Sequence, residues 1–220
     1  MTTIETQTNI DVPIVLATRN KGKVSEIRAL LDGTDVMVKS LNDFGPIPPV
    51  VEDGETFEDN AVKKAQFTAR VLGFPALADD SGLVVKALNG LPGVHSARFA
   101  GEDASDEANN LKLLKAMEDV ENRDAFFTCI LAVAVPSGPA LIYEATCDGI
   151  ITEKLIGEQG FGYDPLFFCP PLEKTFAQMS MEEKNRVSHR GKALTEFKGE
   201  IGKVLIWLRQ RLVEEQSRRP

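Results

Sequence analysis

Short apolar runs alternate along the chain with longer segments in which apolar residues recur every three or four positions. Residues 13–17 and 126–135 are almost continuously apolar, which predicts buried strands, the second of them covered on both faces. Residues 140–152 alternate enough to pair with that second strand. Residues 76–78 and 83–87 predict two further strands on either side of a polar turn.

Two helices are predicted in the first third of the chain. The first follows residue 22, has four apolar residues on one face and ends at Gly33. The second begins near Thr56, which has the spacing of a capping box to Asp59, and it ends at Gly73. Alanines at positions 61, 65 and 69 give this second helix a stripe of small residues.

Two more helices are predicted later in the chain. One runs from about residue 105 to 117, with Leu111 among the apolar residues that face inward. The other runs from about residue 191 to 213 as one long helix, which Gly199 and Gly202 weaken without breaking. Strands and helices therefore alternate, which is typical of a mixed α/β chain.

The length and composition favour a single folded unit. The chain has 220 residues, of which 43% are apolar, and no apolar run approaches the roughly 18 residues that cross a bilayer. We expect one two-lobed domain over residues 13–213, with a flexible leader at 1–12 and a polar tail at 214–220. The leader has no signal-peptide pattern, which indicates a cytoplasmic protein without a membrane partner.

Charge and cysteine content exclude several classes of protein. A formal net charge of −8 disfavours binding to nucleic acid, which depends on many lysines and arginines. An acidic protein can still bind a small polyphosphate when it concentrates its few cations locally or when Mg²⁺ bridges its carboxylates to the phosphates. The three cysteines lie far apart, so we expect buried free thiols, and two histidines are too few for a histidine-rich metal centre.

Two segments suggest a site for a phosphorylated ligand and its metal. Residues 18–23 (TRNKGK) lie between a strand and a helix, where backbone N–H groups and lysines attract anions. The acidic segments at residues 52–55 and 79–82 offer the oxygen ligands that Mg²⁺ prefers. Considered alone, residues 18–23 are also explained by an ordinary strand-to-helix turn, and the acidic segments by solvated acidic turns.

Two later segments are candidates for recognising a base. Residues 160–165 (GFGYDP) place two aromatic rings among glycines before a proline, an arrangement suited to stacking against a base. Residues 184–192 (KNRVSHRGK) concentrate donors in an otherwise acidic chain. A tight turn with buried rings and a solvated helix end are the respective alternatives. A serine-hydrolase triad is improbable, because Ser188 and His189 are adjacent.

The order of these segments is more specific than any one of them. The series ATRNKGK, EDGETFEDNA, ADDSGL, LPGVHSARFAG, GFGYDPLFF and KNRVSHRGKAL closely resembles the inosine triphosphate (non-standard purine nucleoside triphosphate) pyrophosphatase family. The resemblance extends from Ile14 to about Leu208. It implies a two-lobed α/β fold with a long central mixed sheet, an active-site cleft between the lobes, a homodimer and a requirement for Mg²⁺.

The resemblance also implies roles for individual residues. Glu52 and Asp80 would hold the metal, and Asp80 would also accept a proton from water, although the sequence alone leaves open whether it is base or only ligand. Arg19 stands where some relatives have a small residue, so it either touches phosphate or points outward. The expected substrate-binding residues are Thr18, Arg19, Asn20, Lys21, Gly22, Lys23, Ser81, Phe161, Gly162, Tyr163, Asp164, Lys184, His189 and Arg190.

The implied reaction is hydrolysis of deaminated purine nucleoside triphosphates (ITP, dITP and XTP) to the monophosphate and pyrophosphate. A donor in the His189–Arg190 segment would recognise the purine 6-oxo group. Two alternatives stay open at this point. One is a pyrophosphatase for modified pyrimidine triphosphates, and the other is a non-catalytic nucleotide sensor.

Overall fold

A seven-stranded sheet organises the protein. The computed structural model describes residues 13–34 and 36–218. Its strands are β1 Ile14–Leu16, β2 Val38–Ser40, β3 Ala76–Val85, β4 Asp124–Ala134, β5 Leu141–Ile151, β6 Phe167–Cys169 and β7 Lys174–Thr175. They lie in the order β2-β1-β3-β4-β5-β6-β7. β1 pairs in parallel with β2 and β3, and the other neighbours are antiparallel, so the expected mixed sheet is confirmed.

Helices cover both faces of the sheet. They are α1 Lys21–Leu31, α2 Phe57–Leu72, α3 Asp106–Ala116, α4 Met181–Val187, α5 His189–Gly199 and α6 Ile201–Arg218. The expected cap of α2 is confirmed, because the Thr56 hydroxyl accepts from the Asp59 N–H at 3.0 Å and Gly73 ends the helix at φ 73°. Among the described residues, none of the helices is long and apolar enough to cross a membrane.

Apolar side chains on one face of the sheet form two separate clusters. Leu77 of β3 belongs to the first, with residues of α1, α5 and α6. Leu83 and Val85 of the same strand belong to the second, with residues of α3 and of the segment 163–179. Side chains alternate along a strand, so Asp79 and Ser81 lie on this face between the two clusters. The two aspartate- and serine-bearing positions therefore mark the boundary between the two clusters.

The opposite face of the sheet packs against α2. Ala61 and Ala65 of α2 are completely buried against Ala78 of β3 and Ala132 of β4, which form a third cluster. The predicted stripe of alanines is therefore the packing face of α2. Small residues there let the helix approach the sheet closely.

The prediction of a polar turn at residues 79–82 is wrong. β3 continues through it, and its residues pair with β4 without interruption from Ala76 opposite Ala134 to Val85 opposite Ala125. The pairing satisfies the backbone, and buried partners described below satisfy the two aspartates. Because side chains alternate, Asp79 and Asp80 point to opposite faces instead of entering one cleft together.

The C-terminal region also differs from the prediction. The long helix is divided at Glu200, whose φ of −102° and ψ of 4° end α5 before α6 begins. Two glycines, Gly199 and Gly202, flank this residue, and each lowers helix propensity enough to favour the break. Residues 214–218, expected to form a polar tail, continue α6, whereas the predicted leader lies outside the described residues.

Two smaller expectations about side chains have opposite outcomes. Leu111 of α3 is exposed, contrary to the prediction, whereas Leu114 and Met117, expected on the same inward face, pack in the second cluster beside the buried Leu113. The three cysteines are free and buried, as expected.

Candidate active site

A pocket of about 130 Å³ lies where elements of the two clusters meet. The predicted substrate-binding residues that line it are Asn20, Lys23, Ser81, Phe161, Gly162, Tyr163, Asp164, Lys184, His189 and Arg190. Segments that are more than 100 residues apart in sequence therefore meet around one space. The sheet supplies its floor, and α1, the loop at residues 160–164 and the start of α5 surround it.

The other predicted residues lie outside this pocket. The Thr18 hydroxyl accepts from the Asn20 N–H at 3.1 Å, and Lys21 is exposed at the start of α1. Arg19 donates from Nη1 to the Leu41 carbonyl at 3.0 Å, so it points outward. Gly22 packs against the aromatic loop: a Cβ there would lie 2.6 Å from Cδ1 of Phe161.

Residues 18–23 form a strand-to-helix turn whose polar groups serve both the helix and the pocket. Asn20 is the N-cap of α1, and its Oδ1 accepts from the Lys23 N–H at 3.0 Å. The open N–H groups of this first turn favour an anion. Lys23 extends from the turn to a carboxylate of β3, so its ammonium is already paired.

Asp79 is the most heavily bonded carboxylate of the pocket. It accepts hydrogen bonds from Nε of Arg190 at 2.9 Å, from the Ser81 hydroxyl at 2.7 Å and from the Cys129 thiol at 3.1 Å, and it pairs with Lys23. Burial by itself would raise the pKa of Asp79, but Arg190 and Lys23 outweigh it and hold this pKa well below its ordinary value. Asp79 is therefore a permanent anion that positions cations.

Glu26 is a second buried carboxylate that bridges two cations. Its Oε1 lies 2.9 Å from Nζ of Lys184, and its Oε2 lies 2.5 Å from Nη1 of Arg190. Lys184 also contacts Oδ2 of Asp164 at 2.7 Å. The network therefore balances the cations Lys23, Lys184 and Arg190 with the carboxylates Glu26, Asp79 and Asp164. A polyphosphate therefore meets cations that are already neutralised, so it needs an additional source of positive charge.

A second group of charges lies on the other face of the sheet, which packs against α2, and Lys23 of the pocket is close enough to act on the pKa of Asp80. Nζ of Lys64 lies 2.6 Å from Oδ1 of Asp80 and 3.2 Å from Oε2 of Glu52. Burial raises the pKa of Asp80 despite the attraction of Lys64. Burial opposes the charge of Lys64 too, but Asp80 and Glu52 outweigh it and raise the pKa of Lys64. Asp80 is thus a more basic carboxylate than an exposed aspartate.

His189 is held as a neutral ring at the wall of the pocket. It stacks on Phe127 with ring centroids 4.6 Å apart and interplanar angle 13°. Burial and then the charge of Arg190 hold the pKa of His189 well below its ordinary value. Nδ1 is buried and has no hydrogen-bond partner among the described residues. An unpaired lone pair costs less than an unpaired N–H, so the proton belongs on Nε2.

The aromatic loop (residues 160–164) is fixed by its own carboxylate. Oδ2 of Asp164 accepts from the Phe161 N–H at 2.9 Å. Only glycine fits at position 160, because its φ is +80° and a Cβ would lie 2.0 Å from Oδ2 of Asp164. The ammonium of Lys184 lies 4.7 Å from the centroid of the Phe161 ring, within the range of a cation–π interaction.

Four charged residues of the site were missed by sequence reasoning: Glu26, Lys64, Asp79 and Asp106, the last of which lines the pocket. Lys64 lies within the buried alanine stripe of α2, and a lysine in such a stripe is a usable signal for a buried ion pair. Glu26 follows Lys23 by three positions and so shares its side of α1. The sequence shows Asp79 beside Asp80 but indicates no role for it. Only the uninterrupted strand β3 shows which face of the sheet each side chain occupies.

The paired carboxylates fit a magnesium ion. Within residues 13–34 and 36–218, no group of three or more His, Cys, Asp or Glu side chains is arranged to hold a metal. Mg²⁺ does not require one, since it usually takes one or two protein carboxylates and completes its shell with water and substrate phosphate. Glu52 and Asp80 already converge on one cation, the ammonium of Lys64. Their oxygen atoms are therefore suitable ligands.

Comparison with known proteins identifies the family of the chain. The Ham1 family profile matches residues 14–200. A dITP/XTP pyrophosphatase from Syntrophobacter fumaroxidans is 62% identical over 206 residues, covering 94% of this chain and 89% of that protein. Another from Desulfotalea psychrophila is 56% identical over 208 residues, covering 94% and 93%.

A solved structure supports the same assignment. The HAM1 protein from Coxiella burnetii superimposes with a TM-score of 0.80 at 39% identity, covering 87% of this chain and 99% of that one. The sequence resemblance is thereby confirmed over the region that holds the pocket and the Lys64 ion pairs. The chain belongs to the Ham1 family.

Proposed function

We propose that the protein hydrolyses deaminated purine nucleoside triphosphates, such as dITP, ITP and XTP, to the monophosphate and pyrophosphate. The observation that carries the proposal is one pocket in which a neutral histidine donor, an aromatic loop and a helix N-terminus converge beside a basic, metal-compatible carboxylate. Relatives at 62% and 56% identity are named dITP/XTP pyrophosphatases. Their names support this substrate class over modified pyrimidines and over a non-catalytic sensor.

Base selectivity follows from the protonation of His189. With its proton on Nε2, the ring offers one donor at the pocket wall, which suits the 6-oxo group of hypoxanthine or xanthine. Adenine presents an amino group there and would leave both donors unpaired, which is costly in a buried site. Arg190 is less available, because Glu26 and Asp79 already engage its guanidinium.

Hydrolysis is assigned to Asp80. In the metal-free protein burial raises the pKa of Asp80, and its carboxylate is the group to which we assign the proton of an attacking water molecule. Water then attacks the α-phosphorus, the α–β anhydride bond breaks, and pyrophosphate leaves with the electron pair. Lys64 holds Asp80 in place at 2.6 Å.

Glu52 and Asp80 would hold Mg²⁺ in the working enzyme. Bound there, the ion would supply the positive charge that the neutralised pocket lacks and would draw the triphosphate toward Asp80. Lys23 and the first turn of α1 would contact the phosphate groups, and Phe161 would lie against the base. Of the other predicted contacts, Thr18 and Gly22 would support the shape of this turn.

The deciding experiment measures products. Purified protein is incubated with dITP, XTP, GTP and ATP, with and without Mg²⁺, and pyrophosphate is assayed separately from orthophosphate. We expect pyrophosphate from dITP and XTP and none from ATP, and only with Mg²⁺; GTP shares the 6-oxo group, so discrimination against it must involve its 2-amino group. Asp80→Asn serves as the control for contaminating phosphatases. Release of orthophosphate, or equal rates with ATP, would contradict the proposal.

A cytoplasmic homodimer is the proposed working form. The three buried free thiols are typical of a reducing compartment. The dimer rests on the resemblance to the pyrophosphatase family, in which homodimers are the working form. Light scattering on the eluting protein should give twice the chain mass of 24.1 kDa, and a mass of one chain would refute the dimer.

A further inference from the structure

Helix α3 contacts the aromatic loop through two side chains on one of its faces. Oδ2 of Asp106 accepts from the Gly162 N–H at 2.7 Å. Nδ2 of Asn110 donates to the Gly162 carbonyl at 2.9 Å. Residues four apart in a helix lie on the same side, so both bonds reach one glycine from the same direction. Both backbone polar groups of Gly162 are thus held by α3.

Gly162 is the residue of the loop that most needs such support. Its φ is +61°, a conformation that glycine leaves readily because no side chain restrains it. Its two neighbours have other anchors: the Phe161 N–H donates to Asp164, and the Tyr163 hydroxyl donates to the Ser96 carbonyl at 2.9 Å. Gly162 has no side chain with which to make an equivalent bond.

Asn110 makes this contact while one of its own polar atoms stays unpaired. Its side chain is buried, and its Oδ1 has no hydrogen-bond partner among the described residues. The neighbouring Asn109, by contrast, uses both ends of its amide, accepting from the Ala100 N–H and donating to the Ala97 carbonyl. Asn109 therefore supports the fold of its own region, whereas Asn110 leaves its acceptor unpaired in order to hold Gly162.

We propose that Asp106 and Asn110 are positioning residues that hold the peptide groups of Gly162 and thereby set the Phe161 ring for the purine. This proposal rests on the proposed function, because it assigns the ring to base binding. The phosphate contacts, Asp80 and Lys64 lie on other elements. Loss of these two hydrogen bonds from α3 to Gly162, called the latch below, should therefore weaken binding of the nucleotide and leave the chemical step almost unchanged.

The test compares four variants of the full chain. Asp106→Ala and Asn110→Leu each remove one bond, and Leu keeps the volume of Asn110. Asp106→Asn retains an oxygen that can accept from Gly162, so it should restore the wild-type behaviour. Glu107→Ala is the matched control, because Glu107 is exposed on the same first turn and its loss also removes a negative charge from the helix N-terminus.

Two readouts separate the latch from a general structural role. In the ligand-free protein, amide hydrogen exchange of residues 160–164 should accelerate about tenfold in Asp106→Ala and Asn110→Leu, as expected for one lost hydrogen bond. In steady-state assays with dITP, the same two variants should raise KM about tenfold while kcat stays within about twofold. Asp106→Asn and Glu107→Ala should resemble the wild type in both.

Any of four outcomes would contradict the proposal. They are unchanged exchange at residues 160–164, an unchanged KM, a lost kcat at constant KM, or an Asp106→Asn variant as impaired as Asp106→Ala. If wild-type protein does not hydrolyse dITP, the proposed function fails, and the exchange rates still decide whether α3 holds Gly162. The two failures are thus distinguishable.

Discussion

Asp79 and Asp80 are adjacent in sequence, yet the structure predicts different consequences for the same substitution. Asp79→Asn removes a completely buried charge from Arg190 and Lys23. Breaking a buried ion pair by removing one partner costs about 3–5 kcal/mol. For a protein of this size, that corresponds to a melting temperature lower by roughly 6–20 °C. The new amide also turns an N–H toward groups that are themselves donors.

Asp80→Asn should cost less stability than Asp79→Asn, because Glu52 still pairs with Lys64, and it should remove activity. The pKa of Asp80 is raised by burial, so its ionised form is held at some cost to the fold at neutral pH. Its removal leaves Lys64 paired with Glu52 alone, so the free energy of unfolding should fall by about 1–2 kcal/mol, less than for Asp79→Asn. Loss of a general base should lower kcat/KM by about 10²–10⁴-fold.

Thermal unfolding and a pyrophosphate assay on the two variants test this contrast. An Asp79→Asn protein as stable as the wild type, or an active Asp80→Asn protein, would refute the reasoning. The dependence on pH gives a further check. The pKa of Asp79 is lowered in the folded state, so its stabilisation is present above the unfolded value of about 3.9 and is lost as pH falls through the lower folded value. The deficit of Asp79→Asn should therefore shrink below about pH 4.

Three further predictions concern other parts of the molecule. Lys64→Met removes the cation between Glu52 and Asp80, so Mg²⁺ should bind the nucleotide-free protein more tightly by calorimetry; weaker binding would contradict the shared site. Because the pKa of His189 is well below its ordinary value, the preference for dITP over dATP should be constant from pH 6 to 8. A change in this preference with a midpoint at about pH 6.5 would argue against the neutral ring. Ser188→Ala removes the N-cap of α5, whose hydroxyl accepts from the Gly191 N–H at 3.1 Å, and should lower stability by about 1 kcal/mol in denaturant unfolding; no change would refute its capping role.

Local patterns predicted the elements whose signals are strong along the sequence. The apolar run at residues 126–135 identified β4, and the Thr56 cap with its alanine stripe identified α2. The break at Glu200 was missed because the apolar period continues across it. The continuity of β3 was missed because two adjacent aspartates resemble a turn until their partners on other elements are known.

The candidate site was predictable in its residue types but not in its pairing. Sequence segments identified most residues that line the pocket, because each segment has an unusual composition. Which carboxylate neutralises which cation depends on tertiary contacts, such as the 158-residue separation between Glu26 and Lys184. The same holds for Lys64, whose role depends on α2 lying over Asp80.

The most direct test of the central claim is the ratio of kcat/KM for dITP to that for dATP, measured by pyrophosphate release with Mg²⁺. The two substrates differ at the purine 6-position, where Nε2 of His189 is expected to donate. A site built around that hydrogen bond should prefer dITP by about 10⁴-fold or more. A ratio within about tenfold would place recognition elsewhere and contradict the account of the pocket.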